Sequence, residues 1–137
     1  MGREAKDNYL IINGLRLHYL EWTEELRPEG ECILLLHGIT GHAHLWDFFV
    51  SKLDNHYHVF ALDLRGHGDS QWSDPPAYHS QDYISDLAAF VDELSINHFI
   101  LIGHSLGSLT STIYAAFHPN RVKALVLVDI EACPPSW

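Results

Sequence analysis

Basic residues are scarce in this 137-residue sequence: eight lysines and arginines stand against 18 aspartates and glutamates, a formal net charge of −10. That balance repels polyanions and argues against a nucleic-acid surface or an anionic membrane face as partner. Cysteine is nearly absent, with Cys32 and Cys133 alone, so no disulfide framework is expected. No apolar run reaches the ~18 residues that cross a bilayer, and Met1 to Asn8 is polar, without the apolar core of a secretory leader. A cytoplasmic setting with no membrane contact is therefore expected. Neither a Gly-x-Gly-x-x-Gly nor a Gly-Lys-Ser/Thr phosphate loop follows any apolar run, which removes the motif support for a nucleotide-binding doubly wound domain.

What is present is apolar patterning over 47% hydrophobic residues, enough for one domain with its own core. Tyr9 to Ile12, the turn Asn13-Gly14, and Leu15 to Trp22 predict an antiparallel hairpin. Four later runs, Ile33 to Leu36, Val59 to Leu62, Phe99 to Ile102 and Leu125 to Val128, are continuously apolar, as strands buried on both faces must be. Helical patterns separate them: Leu45, Phe48, Phe49, Leu53; then Tyr83, Leu87, Val91, Leu94; then Leu106, Leu109, Ile113, Phe117, stopped by Pro119. The expected fold is α/β: a doubly wound, mostly parallel sheet carrying an N-terminal antiparallel hairpin.

Ligands of such sheets sit beyond the carboxyl ends of the strands. Three unusual segments fall there. Gly103-His104-Ser105-Leu106-Gly107 follows one strand and opens one helix, so Ser105 is expected at the tip of a tight turn whose flanking glycines leave its Oγ exposed. It is the candidate nucleophile. His37-Gly38-Ile39-Thr40-Gly41 follows the strand ending at Leu36, where Gly38 lets the chain turn so that the N–H of Ile39, with that of Leu106, can hold an oxyanion. His37, Gly38, Gly103, His104 and Gly107 are the expected supports of this turn and loop, with His104 packed under the sheet end. Asp63-Leu64-Arg65-Gly66-His67-Gly68-Asp69-Ser70 reads instead as a loop locked by internal hydrogen bonds.

Together with Trp46 and His118-Pro119, these segments resemble the α/β-hydrolase fold family over residues 9 to 133. The similarity points to its esterases, enol-lactonases and carbon-carbon bond hydrolases. Serine at position 105 sets the chain apart from the epoxide hydrolases and haloalkane dehalogenases of that fold, which carry aspartate there. The resemblance implies that Ser105 is the nucleophile and that Ile39 and Leu106 supply the oxyanion-hole N–H groups. The implied chemistry takes a small-molecule ester, lactone or activated carbonyl compound and uses no cofactor. The family supplies its general-base histidine after the eighth strand and usually its acid after the seventh, whereas 32 residues follow Ser105 here. The expectation is thus a partial core domain over residues 1 to 137, strands one to six. Asp129 is the candidate acid within these residues, since it corresponds to a position next to an alternative acid site of some members.

Other histidines offer little as the base. His118, on a helix 13 residues past Ser105, should lie about 20 Å away at 1.5 Å per residue, whereas His42 and His44 rim the expected pocket. The alternate pairs His42/His44 and His56/His58 could face a metal, but no third ligand is recognisable, and no metal is expected. Trp22, Trp46 and Trp72 read as packing residues. The run Leu125 to Val128 has no later strand to pair with, so a C-terminal half supplied as a separate chain, or self-association through this strand, is expected. A non-catalytic binding or self-associating half-domain is the competing reading.

Overall fold

The computed structural model describes residues 3–23 and 30–130. The hairpin forms as expected, β1 (Lys6–Ile12) pairing antiparallel with β2 (Leu15–Trp22). Asn13 and Gly14 both have positive φ, 49° and 80°, the backbone that a two-residue turn of this hand requires. The apolar runs become β3 (Glu31–Leu36), β4 (Tyr57–Leu62), β5 (Phe99–His104) and β6 (Val122–Val128). Between them lie a 3-10 turn (Ala43–Trp46) leading into α1 (Asp47–Lys52), then α2 (Ser80–Glu93) and α3 (Leu106–Phe117). The six strands make one sheet in the order β1-β2-β4-β3-β5-β6; β2 meets β4 antiparallel, and β3, β4, β5 and β6 run parallel.

Alternation along each parallel strand sends side chains to opposite faces. Leu34, Leu36, Phe60, Leu62 and Leu101 pack with Tyr83, Leu87, Phe90 and Val91 of α2 and Tyr114 of α3. Ile33, Leu35, Val59, Ala61 and Ile102 pack with Ala43 and Val50 on the other face. Both faces of the central strands are therefore covered, which is why those strands carry no polar residue between Ile33 and Leu36 or Val59 and Leu62.

Three expectations are corrected by packing. The apolar stripe of α3 does not face the sheet: Gly107, Ser108, Thr110, Ser111 and Tyr114 are buried, whereas Leu109 and Phe117 are exposed. The helix sits too close to β3 and β5 for large side chains. Leu45 and Phe48 likewise point outward, with Ala43 and Val50 buried instead. Finally, Leu125 to Val128 are 36–44% exposed rather than buried, because β6 ends the strand order and, although α3 packs against it, its outer edge is unpaired among the described residues. Trp22 is buried as expected, whereas Trp72 is exposed.

Candidate active site

The turn between β5 and α3 forces Ser105 into a strained backbone conformation, φ 49° and ψ −110°. Glycines on both sides make this possible. A Cβ built on Gly103 would lie 2.3 Å from the Gly107 carbonyl oxygen, and one on Gly107 would lie 2.3 Å from the Leu36 carbonyl oxygen. Strand and helix thus cross at a separation only glycine allows. Ser105 is fastened by its main chain, its N–H donating to Val128 (2.9 Å) and its carbonyl accepting from Leu109 N–H (3.0 Å). Ser108, which sequence reasoning passed over, braces the same turn: its hydroxyl donates to the Gly103 carbonyl (2.6 Å) and accepts from Val128 N–H (3.2 Å). Among the described residues no group hydrogen-bonds Ser105 Oγ.

The loop after β3 lies against this turn. A Cβ on Gly38 would fall 2.6 Å from His104 Nδ1 and 3.2 Å from Ser105 Cβ, so the missing side chain is what admits the serine turn. Gly41 N–H donates to the Gly38 carbonyl (3.0 Å), closing a tight turn around Ile39 and Thr40, with Thr40 at φ 63°. Neither the Ile39 nor the Leu106 N–H is engaged among the described residues, and Leu106 opens α3, where N–H groups lack an intrahelical acceptor.

His37 is buried and tied in two directions. Its Nε2 accepts from Leu64 N–H (3.0 Å), which leaves Nδ1 to donate to the Gly38 carbonyl (2.7 Å). Burial lowers its pKa to about 4, opposed by the Gly38 hydrogen bond. A neutral ring of fixed tautomer therefore clamps the β3 loop to the end of β4. His104 departs from expectation: 43% of its side chain is exposed, and its Nε2 lies 3.7 Å from Asp129 Oδ2. On β6 its partner in register is Val128, and the exposed residue just after that strand, Asp129 at φ 55°, is the acid it faces.

The Asp63 loop is a hydrogen-bonded hub. The Asp63 carboxylate accepts from Ala43 N–H (2.6 Å) and Asp69 N–H (2.9 Å), and its Oδ2 lies 2.7 Å from Nδ1 of buried His18. His18 Nε2 in turn lies 2.8 Å from Asp7 Oδ1. No sequence signal marked His18, because its partners come from β1 and from the end of β4. Arg65 bridges to Asp86 through two bonds (2.6 and 2.7 Å) and donates to the Ala77 carbonyl (2.9 Å), fixing the following loop on α2. His18, Asp63 and Asp69 hold donor atoms within 4.8 Å of one another, yet the Asp63 oxygens are already taken up by these hydrogen bonds.

The remaining histidines separate. His42 and His44 rim the loop with ring centroids 6.3 Å apart, and His44 pairs with Asp47 (2.9 Å). His56 pairs with Asp54 (3.0 Å), His58 with Glu21 (2.7 Å), and His118 stacks on Tyr114 at the far end of α3. Cys32 is no second nucleophile: burial first, then the charge of Glu21, pushes its thiol up to about 12. Cys133 lies outside the described residues.

No helix among the described residues is long and apolar enough to cross a membrane. The model of the alpha/beta hydrolase fold family matches residues 31–137. The chain is 36% identical over 131 residues to a 2-(acetamidomethylene)succinate hydrolase of Mesorhizobium japonicum, covering 94% of this chain and 46% of that protein. It is 33% identical over 122 residues to epoxide hydrolase 4 of Mus musculus, covering 85% of this chain and 32% of that one. A crystal structure of a membrane phospholipase A superposes with a TM-score of 0.87 at 30% identity, covering 97% of this chain and 42% of that one. The chain thus spans less than half the length of these relatives.

Proposed function

The chain belongs to the α/β hydrolase fold family, and on that premise we propose that it carries the nucleophile half of a serine hydrolase site acting on an ester, lactone or activated carbonyl compound. The observation that carries this reading is Ser105 at φ 49° between Gly103 and Gly107, its Oγ bonded to no described residue. Ser105 Oγ attacks the carbonyl carbon while a base takes its proton. The N–H groups of Ile39 and Leu106 hold the oxyanion, with the N-terminus of α3 behind Leu106 favouring negative charge. The alcohol leaves with that proton, and water then releases the acyl group from Ser105 by the same route. These steps use side chains and backbone alone, without a cofactor.

The base is supplied from outside the described residues. Neither His42 nor His44 hydrogen-bonds Ser105 Oγ, and His104 Nε2 lies beside Asp129. Asp129, although the candidate acid, meets only His104 here, at 3.7 Å. The same logic places partner contact on β6, whose outer edge would take a further strand from a C-terminal half chain or from a second copy. An aspartate nucleophile suits opening of an epoxide by forming an alkyl ester; a serine suits acyl transfer, which supports the esterase side of the family over the epoxide hydrolases.

Intact-mass spectrometry after exposure to a fluorophosphonate tests the proposal. A single adduct that disappears in Ser105→Ala, in a sample in which a C-terminal half chain or a second copy supplies the base, is the expected result. A lone unmodified species of 15.6 kDa would instead favour the second reading, a non-catalytic binding or self-associating half-domain, to which the bare edge of β6 lends weight.

A further inference from the structure

We propose that Asn13 is a deamidation site held in check by its own hydrogen bonds to α2, and that its conversion to an acid unfastens the hairpin from that helix. Neither Ser105 nor its chemistry enters. Of the five asparagines in the sequence, Asn13 alone precedes a glycine. The reaction needs only water as co-reactant. The Gly14 backbone nitrogen attacks the Asn13 side-chain carbonyl carbon, Nδ2 leaves as ammonia with the proton that nitrogen gives up, and a cyclic imide closes. Water then splits one of the imide's two carbonyl–nitrogen bonds, giving aspartate or its β-linked isomer. A glycine nitrogen meets the least hindrance in this attack, and here nothing lies within 4 Å of where a Gly14 Cβ would stand. Both turn residues are exposed.

The check is on the leaving group. Asn13 Nδ2 donates to Asp86 Oδ1 (2.9 Å) and to Ser85 Oγ (3.1 Å), tying the β1–β2 turn to α2. Asp86 is buried, and its oxygens also take Arg65 Nη2 (2.7 Å) and Nε (2.6 Å). A carboxylate so paired only accepts, so the amide must present Nδ2 to it. Turning the side-chain carbon onto the Gly14 nitrogen carries Nδ2 out of both bonds, and the amide reacts only when it lets go of α2. Conversion then removes the donor for good. An acid oxygen stands where the N–H was, facing Asp86 Oδ1 with no hydrogen between, and like charges at such a distance repel. The β-linked isomer also adds a methylene to the main chain of a two-residue turn whose register is set by Ile12 opposite Leu15.

Peptide mapping by mass spectrometry of the full chain in mildly alkaline buffer provides the test, with the same chain unfolded in urea as reference. Incubation ends when half of the reference carries the amide-to-acid mass change at Asn13. The folded chain should carry the same change to a smaller extent, and Asn13→Gln should lose it. Ser85→Ala alters an exposed residue and removes one of the two acceptors. It should convert about two- to tenfold faster than the parent, the factor of one ordinary hydrogen bond. Thermal unfolding of Asn13→Asp reads the consequence, and its Tm should fall below the parent's. A folded chain with no change at Asn13 would overturn the site, and a Ser85→Ala rate equal to the parent's would overturn the check on it. A Tm of Asn13→Asp equal to or above the parent's would overturn the unfastening.

Discussion

Gly107 shows how one absent methyl group positions a reactive residue. Alanine there would gain up to ~1 kcal/mol of helix propensity, yet its Cβ would stand 2.3 Å from the Leu36 carbonyl oxygen and 2.8 Å from that of His37. Those are backbone atoms of a central strand and cannot swing aside, so the clash wins. Gly107→Ala should lower stability by about 1–3 kcal/mol or more, the usual cost of overpacking a filled site. Gly14→Ala, at φ 80° but with nothing within 4 Å, should lose only the ~1–2 kcal/mol of a left-handed backbone. Urea denaturation of the two variants checks the order; equal losses would show that strand and helix can separate at the elbow.

Among the elements, α3 and β6 carry the tension between sequence and fold. α3 buries its small and hydroxyl-bearing side because it must approach β3 closely, and so turns Leu109 and Phe117 outward. β6 adds Leu125 and Leu127 on the α3 face and Val126 and Val128 on the other, with its outer edge unpaired among the described residues. Such an edge recruits a strand. The purified chain should therefore have a solution mass above 15.6 kDa that falls on dilution, and Val126→Lys should return it to the monomer. Light scattering over a concentration series decides; a monomer at all concentrations would remove self-association through β6.

At the scale of the whole molecule, buried polar clamps hold the loops at one end of the sheet. His37 joins β3 to β4, with His67, Asp63 and His42 as the charged or ionisable groups around it. Its pKa of about 4 lies below the ordinary value of 6.5. The unfolded chain therefore takes up a proton before the folded one does. The contribution is fully present above pH 6.5 and is lost as pH falls toward 4, by roughly 3 kcal/mol in all. Unfolding free energies measured between pH 7 and pH 4.5 should decline, and less steeply in His37→Gln. Parallel slopes for the two proteins would show that His37 is not the group responsible.

The sequence by itself determined the elements and their kind. Continuous apolar runs, Asn13-Gly14 and the Gly-x-Ser-x-Gly spacing are local signals, set by the period of a strand, the φ of a turn and the space a glycine leaves. They located Ser105, Gly38, Gly103 and Gly107 and the hairpin. Only the tertiary structure decided which side of α3 meets the sheet, that His104 stands half-exposed opposite Asp129, that Trp72 is exposed, and that His18 sits between Asp7 and Asp63. Each of these depends on a neighbour brought close through space. His18 meets Asp63 across 45 residues of chain, and His37 meets Leu64 across 27. A pattern with a period of two or 3.6 residues holds no record of such partners, because they are chosen by packing distance and by the need of buried polar groups for hydrogen bonds.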